Sequence, residues 1–193
     1  MRVLRAADRE AVPWKNGGGI TREITGFPAG ASSADFVWRI SLAEVAADGP
    51  FSEFSGVDRI LTMVDGAGMA LSLGAETTAP GTGGRRVDSC YVPQHFPGDV
   101  PTACRLLGGP VTNLNVMYRR DTGTTAHVEV VRGRAGLEAA AHGSTVVVAL
   151  DAPVTLPDAG LTLGPRDAVL CDGAPGTLHA VGRAAVITVV RRG

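Results

Sequence analysis

Phe36-Val37-Trp38-Arg39-Ile40-Ser41-Leu42-Ala43 is the stretch on which the fold turns. Bulky apolar residues at 36, 38, 40 and 42 alternate with Val37, Arg39, Ser41 and Ala43, the two-residue period of a β-strand with unlike faces. The period returns where Val57, Arg59, Leu61 and Met63 alternate with Asp58, Ile60, Thr62 and Val64, and again along residues 113–119. Asp65-Gly66 then reads as a hairpin turn, with residues 69–73 as the return strand. Further short apolar runs lie at 128–131, 145–150, 154–156, 161–163, 168–171 and 185–190. Turn sequences such as Pro157-Asp158-Ala159-Gly160 and Gly164-Pro165-Arg166-Asp167 separate them. The best helical candidates are residues 41–47, which also read as strand continuation, and 137–141. Gly (26) and Pro (12) punctuate the 193 residues throughout. Ten or so short strands with little helix predict an all-β sandwich or barrel.

A weak internal echo divides the chain in two. Residues 60–73 read strand, turn, strand, followed by Phe96-Pro97-Gly98-Asp99 and an apolar strand at 114–120. Residues 145–163 repeat the pattern, followed by Gly164-Pro165-Arg166-Asp167 and a strand at 185–192. The echo predicts a first barrel over residues 1–122 and a second over 123–193. Residues 74–86 are rich in Gly, Thr and Ala and are expected to form a mobile surface loop.

Composition removes several function classes. Hydrophobic residues make up 45%, charged residues 19%, and the net charge is −1. That balance excludes disorder and gives no basic face for nucleic acid. The longest uninterrupted apolar run, 146–150, falls far short of the roughly 20 residues of a membrane span. Charges scattered through the first ten residues do not suit a signal peptide, so a cytoplasmic protein is expected. Cys90, Cys104 and Cys171 form no Cys-x-x-Cys, and His95, His127, His142 and His179 form no His-x-His or His-x-x-x-His. Neither a disulfide framework nor a metal site is signalled, and no cofactor is expected. Among 18 basic residues only Lys15 is a lysine.

Two groups of residues bear on chemistry. Pro13-Trp14-Lys15-Asn16-Gly17-Gly18-Gly19-Ile20-Thr21-Arg22-Glu23 contains a glycine triplet, whose amides either approach a ligand closely or form a turn entering the first strand. It is neither a phosphate loop nor a dinucleotide fingerprint. Arg39 and Ser41 share a strand face that either lines a wet lumen or meets solvent. Asn113, Asn115, Met117 and Arg119 form a face too uncharged for an ordinary exterior and too polar for a packed core. Apolar lining with a few fixed polar groups suits a ligand-sized cavity. No nucleophile elbow or distinctive carboxylate pair is present.

Assembled, these motifs resemble the HutD family of cupin-like proteins, also called Ves. The likeness covers residues 13–23, 36–41 and Asp48-Gly49-Pro50-Phe51-Ser52-Glu53-Phe54-Ser55-Gly56-Val57-Asp58-Arg59, and continues through 96–99 and 115–117. In one departure, Asn113-Leu114-Asn115 stands where the family commonly has Asp-Phe-Asn. The resemblance implies a bicupin, two β-barrel halves in one compact chain, without the usual cupin metal histidines. It further implies a regulator or safeguard of histidine utilisation that binds an acidic intermediate such as urocanate, formiminoglutamate or formylglutamate. In a metal-independent receptor of this kind, Arg39 or Arg59 would grip a carboxylate through paired guanidinium hydrogen bonds. Lys15 would add a second charge, and Asn16 and the Gly17, Gly18 and Gly19 amides would lie against the ligand. Thr21, Ser41 and Asn115 would orient it, while Trp14, Phe96 and Met117 exclude water. A homodimer is compatible with this reading. The alternative is a metal-independent hydrolase or isomerase with Lys15, Asp58, Asp99 or His95 as proton carrier. A third reading is a partner-binding domain with Lys15, Arg39 and Arg59 pointing outward.

Overall fold

Strands dominate the computed structural model, which describes residues 1–74, 85–138, 140, 142–171 and 176–191. The loop expected at 74–86 lies almost wholly outside the described residues. The chain divides into two units, Glu10–Asp121, and Thr122–Gly193 together with Met1–Arg9. Among the described residues no helix is long and apolar enough to cross a membrane.

The chain opens with β1 (Arg2–Leu4). The first unit then contains β2 (Val12–Pro13), β3 (Gly19–Phe27), β4 (Trp38–Val45), β5 (Gly49–Pro50) and β6 (Val57–Asp65). It continues with β7 (Met69–Leu73), β8 (Arg85–Val87), β9 (Pro93–Pro97), β10 (Thr102–Leu106) and β11 (Val111–Arg119). These form two antiparallel sheets, ordered β2-β3-β4-β11-β6-β9 and β5-β10-β7-β8. The second unit contains β12 (Thr124–Leu137), β13 (Gly143–Ala149), β14 (Val154–Leu156), β15 (Leu161–Leu163), β16 (Ala168–Cys171) and β17 (Gly176–Arg191). Its order is β1-β16-β13-β17-β14-β15, with β12 along the other edge of β17.

One strand order serves both units. β4-β11-β6-β9 in the first matches β12-β17-β13-β16 in the second, and β5-β10-β7-β8 matches the far halves of β12 and β17 with β14 and β15. The second unit runs as continuous strands what the first breaks into pairs. β12 bends at the register shift after Arg132, where Gly133 takes φ 72°, a conformation that suits glycine.

Three expectations are corrected. Residues 41–45 are strand, because each has partners in both β3 and β11 and the sheet satisfies their backbone groups. Leu137 ends β12, while residues 139 and 141 lie outside the described residues. β6 and β7 do not pair as a hairpin: β6 lies between β11 and β9, and β7 between β10 and β8. Asp65-Gly66 is instead a corner between sheets. Gly66 and Gly68 take φ 105° and 118°, and Gly68 packs so closely on the Asp88 backbone that a Cβ would lie 2.9 Å away.

The first nine residues belong with the second unit, not with residues 10–121. β1 pairs with β16, and Asp167 accepts hydrogen bonds from Ala6 N–H at 2.8 Å and from the Arg5 guanidinium at 2.7 Å. The second unit packs Val147, Ala149, Leu163, Val169, Leu178 and Ala184 into an aliphatic core. In the first unit Phe51, Leu61, Met63, Met69, Leu71 and Phe96 belong to one apolar cluster, and Phe36, Val57 and Met117 form a smaller one.

Candidate functional site

Strand parity sets the site. Arg39 of β4, Met117 of β11 and Arg59 of β6 stand opposite one another in one cross-strand row. Ser41, Asn115 and Leu61 form the next row, and Ala43, Asn113 and Met63 the third. Leu61 and Met63 go to the apolar cluster, and the rest face a cavity of about 580 Å³. The walls are completed by Val12, Pro13, Trp14, Lys15, Asn16 and Thr21 from the N-terminal hairpin, by Ser33, and by residues 50–54.

Arg59 is the centre of this arrangement. It is only 8% exposed, and its guanidinium lies over Phe51 and Phe96 at 5.2 Å and over Phe54 at 5.9 Å. Aromatic faces attract a desolvated cation, which holds the side chain in place. Its Nη1 approaches the Ser52 carbonyl at 3.5 Å, too far for a strong hydrogen bond, and its Nε has no partner. Among the described residues it makes no ion pair. Burial pushes its pKa down to about 10, so it remains a cation at neutral pH.

The other arginine differs. Arg39 Nε donates to Glu23 Oε2 at 2.6 Å, so an internal carboxylate compensates its charge. Glu23 stands opposite Ser41 and two residues on from Thr21, so plain alternation along β3 puts its carboxylate on the cavity face. Lys15 is exposed on the loop between β2 and β3, where it lines the cavity. Asn115 is 7% exposed, and its Oδ1 is buried without a partner.

The glycine triplet builds the wall and stands behind it. Gly17 N–H donates to the Trp14 carbonyl at 3.0 Å and Gly18 N–H to Asn16 Oδ1 at 3.1 Å, so these two amides are already engaged. Gly19 lies under the Trp14 ring, where a Cβ would come within 3.1 Å of the indole and collide with the Glu44 carbonyl. Asn16 Nδ2 donates to the Pro50 carbonyl at 3.3 Å and ties this loop to the 50–54 segment. Trp14 Nε1 donates to Thr21 Oγ1 at 2.8 Å, and the indole meets Phe51 edge-on at 5.9 Å.

Thus Trp14, Lys15, Asn16, Thr21, Arg39, Ser41, Arg59, Asn115 and Met117 come together around one cavity. Gly17, Gly18 and Gly19 support its wall, and Phe96 sits beneath the Arg59 guanidinium instead of on the cavity surface. Asp58 and Asp99 are both held by Arg120, Asp58 at 2.6 Å, and neither they nor His95 line the cavity. The Arg120 hydrogen bond holds the Asp99 carboxyl below its ordinary range. Burial pushes the Cys104 thiol up to about 12, which leaves it unreactive. Among the described residues no group of three His, Cys, Asp or Glu side chains is placed to hold a metal.

Sequence reading placed Asn113 on the cavity face with Asn115 and Met117, and missed Glu23 and the 50–54 wall with Phe51, Glu53 and Phe54. Glu23 was legible by parity with Thr21, since the two stand opposite Ser41 and Ala43 in an unbroken register.

Antiparallel sheets curled around a polar, cation-floored cavity define a cupin-like all-β protein. The chain belongs to the HutD family, whose model matches residues 6–188. It is 36% identical over 121 residues to an uncharacterized 21.2 kDa protein in the hutC 3′ region of Pseudomonas putida, covering 61% of this chain and 58% of that protein. It is 37% identical over 110 residues to protein Ves of Citrobacter koseri, covering 56% and 52%. The chain thus spans little more than half the length of these curated relatives. The solved structure of HutD from Pseudomonas fluorescens SBW25, in a formate condition, superposes with a TM-score of 0.85 at 32% identity, covering 100% of this chain and 99% of that one.

Proposed function

We propose that the chain is a metal-independent receptor for a small carboxylate, and that it serves histidine utilisation as a regulator or safeguard by binding an acidic intermediate. Urocanate, formiminoglutamate and formylglutamate are the candidates. In this reading the two units are the halves of a cytoplasmic bicupin, supported by their shared strand order. The hut-region location of the Pseudomonas putida relative supports the pathway.

One observation carries the binding claim: a buried guanidinium faces a cavity and has no carboxylate partner among the described residues. An unpaired buried charge is costly unless something compensates it, and a ligand carboxylate does so with two parallel hydrogen bonds. Ser41, Thr21 and Asn115 supply neutral polar contacts, and Trp14, Phe51 and Met117 restrict water. Two such charge-assisted hydrogen bonds, at about 1.5–3 kcal/mol each, supply about 3–6 of the roughly 8 kcal/mol that micromolar affinity requires, and the apolar walls and neutral polar contacts would have to supply the rest.

Calorimetric titration of the three acids into wild type, Arg59→Met and Arg39→Ala tests this. Saturable binding by wild type that Arg59→Met abolishes is the expected result. Wild type that binds none of them overturns it. The hydrolase or isomerase reading draws less support, because Asp58 and Asp99 are occupied by Arg120 away from the cavity.

A further inference from the structure

We infer that Glu53 is a specificity-determining residue of this cavity, one that selects acids with a single carboxylate and a neutral or dipolar tail over dicarboxylates, and so ranks urocanate, with one carboxylate, above formiminoglutamate and formylglutamate, with two each. The inference rests on the receptor reading above and adds the charge of the ligand's far end.

The argument is an inventory of charge by depth. At the floor stands one uncompensated cation, Arg59. On the wall Arg39 is neutralised by Glu23 at 2.6 Å. At the mouth Lys15 and Glu53 are both exposed, line the cavity, and make no ion pair among the described residues. They sit on the two loops that the Asn16–Pro50 hydrogen bond ties together, so both border the same opening. The floor therefore carries one positive charge and the mouth sums to zero. A ligand carboxylate on Arg59 completes the floor. A second carboxylate at the mouth meets Glu53 as well as Lys15, and repulsion by a like charge offsets the attraction. An amide or other nitrogen-bearing tail satisfies both, donating toward Glu53 while its oxygen accepts from Lys15.

Glutaramate and glutarate, which differ only in one terminal amide against carboxylate, make the test. Each is titrated into wild type, Glu53→Gln and Glu53→Ala at low and moderate salt. Wild type is expected to favour glutaramate by about three- to tenfold, the size of a partly exposed charge contact. Glu53→Gln, which keeps an acceptor for the amide, is expected to bring glutarate level with glutaramate while moving glutaramate by less than twofold, and Glu53→Ala is expected to strengthen glutarate and weaken glutaramate. The wild-type preference should also shrink with added salt. Equal binding of the two probes by wild type, or parallel changes in both variants, overturns the role of Glu53 and leaves the receptor reading standing. If neither probe binds wild type while the three pathway acids also fail, the receptor reading falls and this inference with it. Glu53 is exposed outside any strand, so both variants should fold, and a thermal melt matching wild type confirms it.

Discussion

Arg59 holds a charge where charge is costly, and the means by which the protein tolerates it dictate how it should respond to change. Three aromatic rings offset part of the desolvation, and no anion among the described residues offsets the rest. Arg59→Met keeps the volume and removes the charge, so the fold should persist while carboxylate affinity falls at least about 100-fold, the low end of what two charge-assisted hydrogen bonds contribute. Arg59→Lys should not rescue it, because a point-like ammonium lacks the planar fork. The pH dependence follows from the lowered pKa. Between about 10 and the ordinary arginine value the unfolded chain holds the proton and the folded chain does not, so this residue's contribution to stability rises with pH across that window. A bound carboxylate favours the protonated form. Its affinity should stay flat from about pH 6 to 9 and decline above about pH 10, as calorimetry at stepped pH will show. Affinity that stays flat past pH 10 would remove Arg59 from the site.

Strands were legible wherever residue types alternate, and less so where the partner decides. The run at 36–43 announced β4, and 57–64 announced β6, because alternation fixes which side chains share a face. That is why alternation alone puts Arg39 with Ser41 on one face and Asn115 with Met117 on another. Alternation says nothing about which strand lies alongside, so the Asp65-Gly66 turn was read as a hairpin when it is a corner between sheets. β3 escaped because its bulge breaks the period, and the 50–54 wall escaped because tertiary closure alone gives it a role. Two elements carry measurable consequences. Gly19 begins β3 beneath Trp14 and against the Glu44 carbonyl. Gly19→Ala should push β3 from β4, cost about 1–3 kcal/mol in denaturant melts, and shift tryptophan emission. In the other unit Asp167 closes the 164–167 turn by accepting Gly164 N–H at 3.1 Å, besides Ala6 and Arg5. Burial alone would raise this carboxyl, but the hydrogen bonds from Ala6, Arg5 and Gly164 outweigh it and hold it below the usual range. A depressed carboxyl stabilises the fold above its unfolded value, and that stabilisation is lost as pH falls through the folded value. Asp167→Asn should therefore lower stability by about 1–3 kcal/mol at pH 7 and flatten the loss of stability below about pH 4.

At the scale of the whole chain, one strand order is used twice with different interiors. The row Met117–Arg59 of the first unit corresponds by register to Thr188–Thr145 of the second. Asn115–Leu61 corresponds to Val186–Val147, and Asn113–Met63 to Ala184–Ala149. Where the first unit places a guanidinium and two carboxamides, the second places small neutral residues, and its interior closes into aliphatic packing. One unit is free to hold polar groups against a cavity because each unit has its own apolar cluster. The proposed receptor then binds one acid per chain, and titration should give that stoichiometry. Thr145→Arg asks whether the charge alone makes a site. Thr145 is 4% exposed, and its own hydroxyl already lacks a hydrogen-bond partner. An arginine there has no aromatic cage in the cluster around it, so its burial should cost about 3–5 kcal/mol. The expected product melts well below wild type and still binds a single acid. A variant that keeps its melting temperature and gains a second acid would show that the cavity, and not the surrounding Phe51, Phe54 and Phe96, follows from placing the cation.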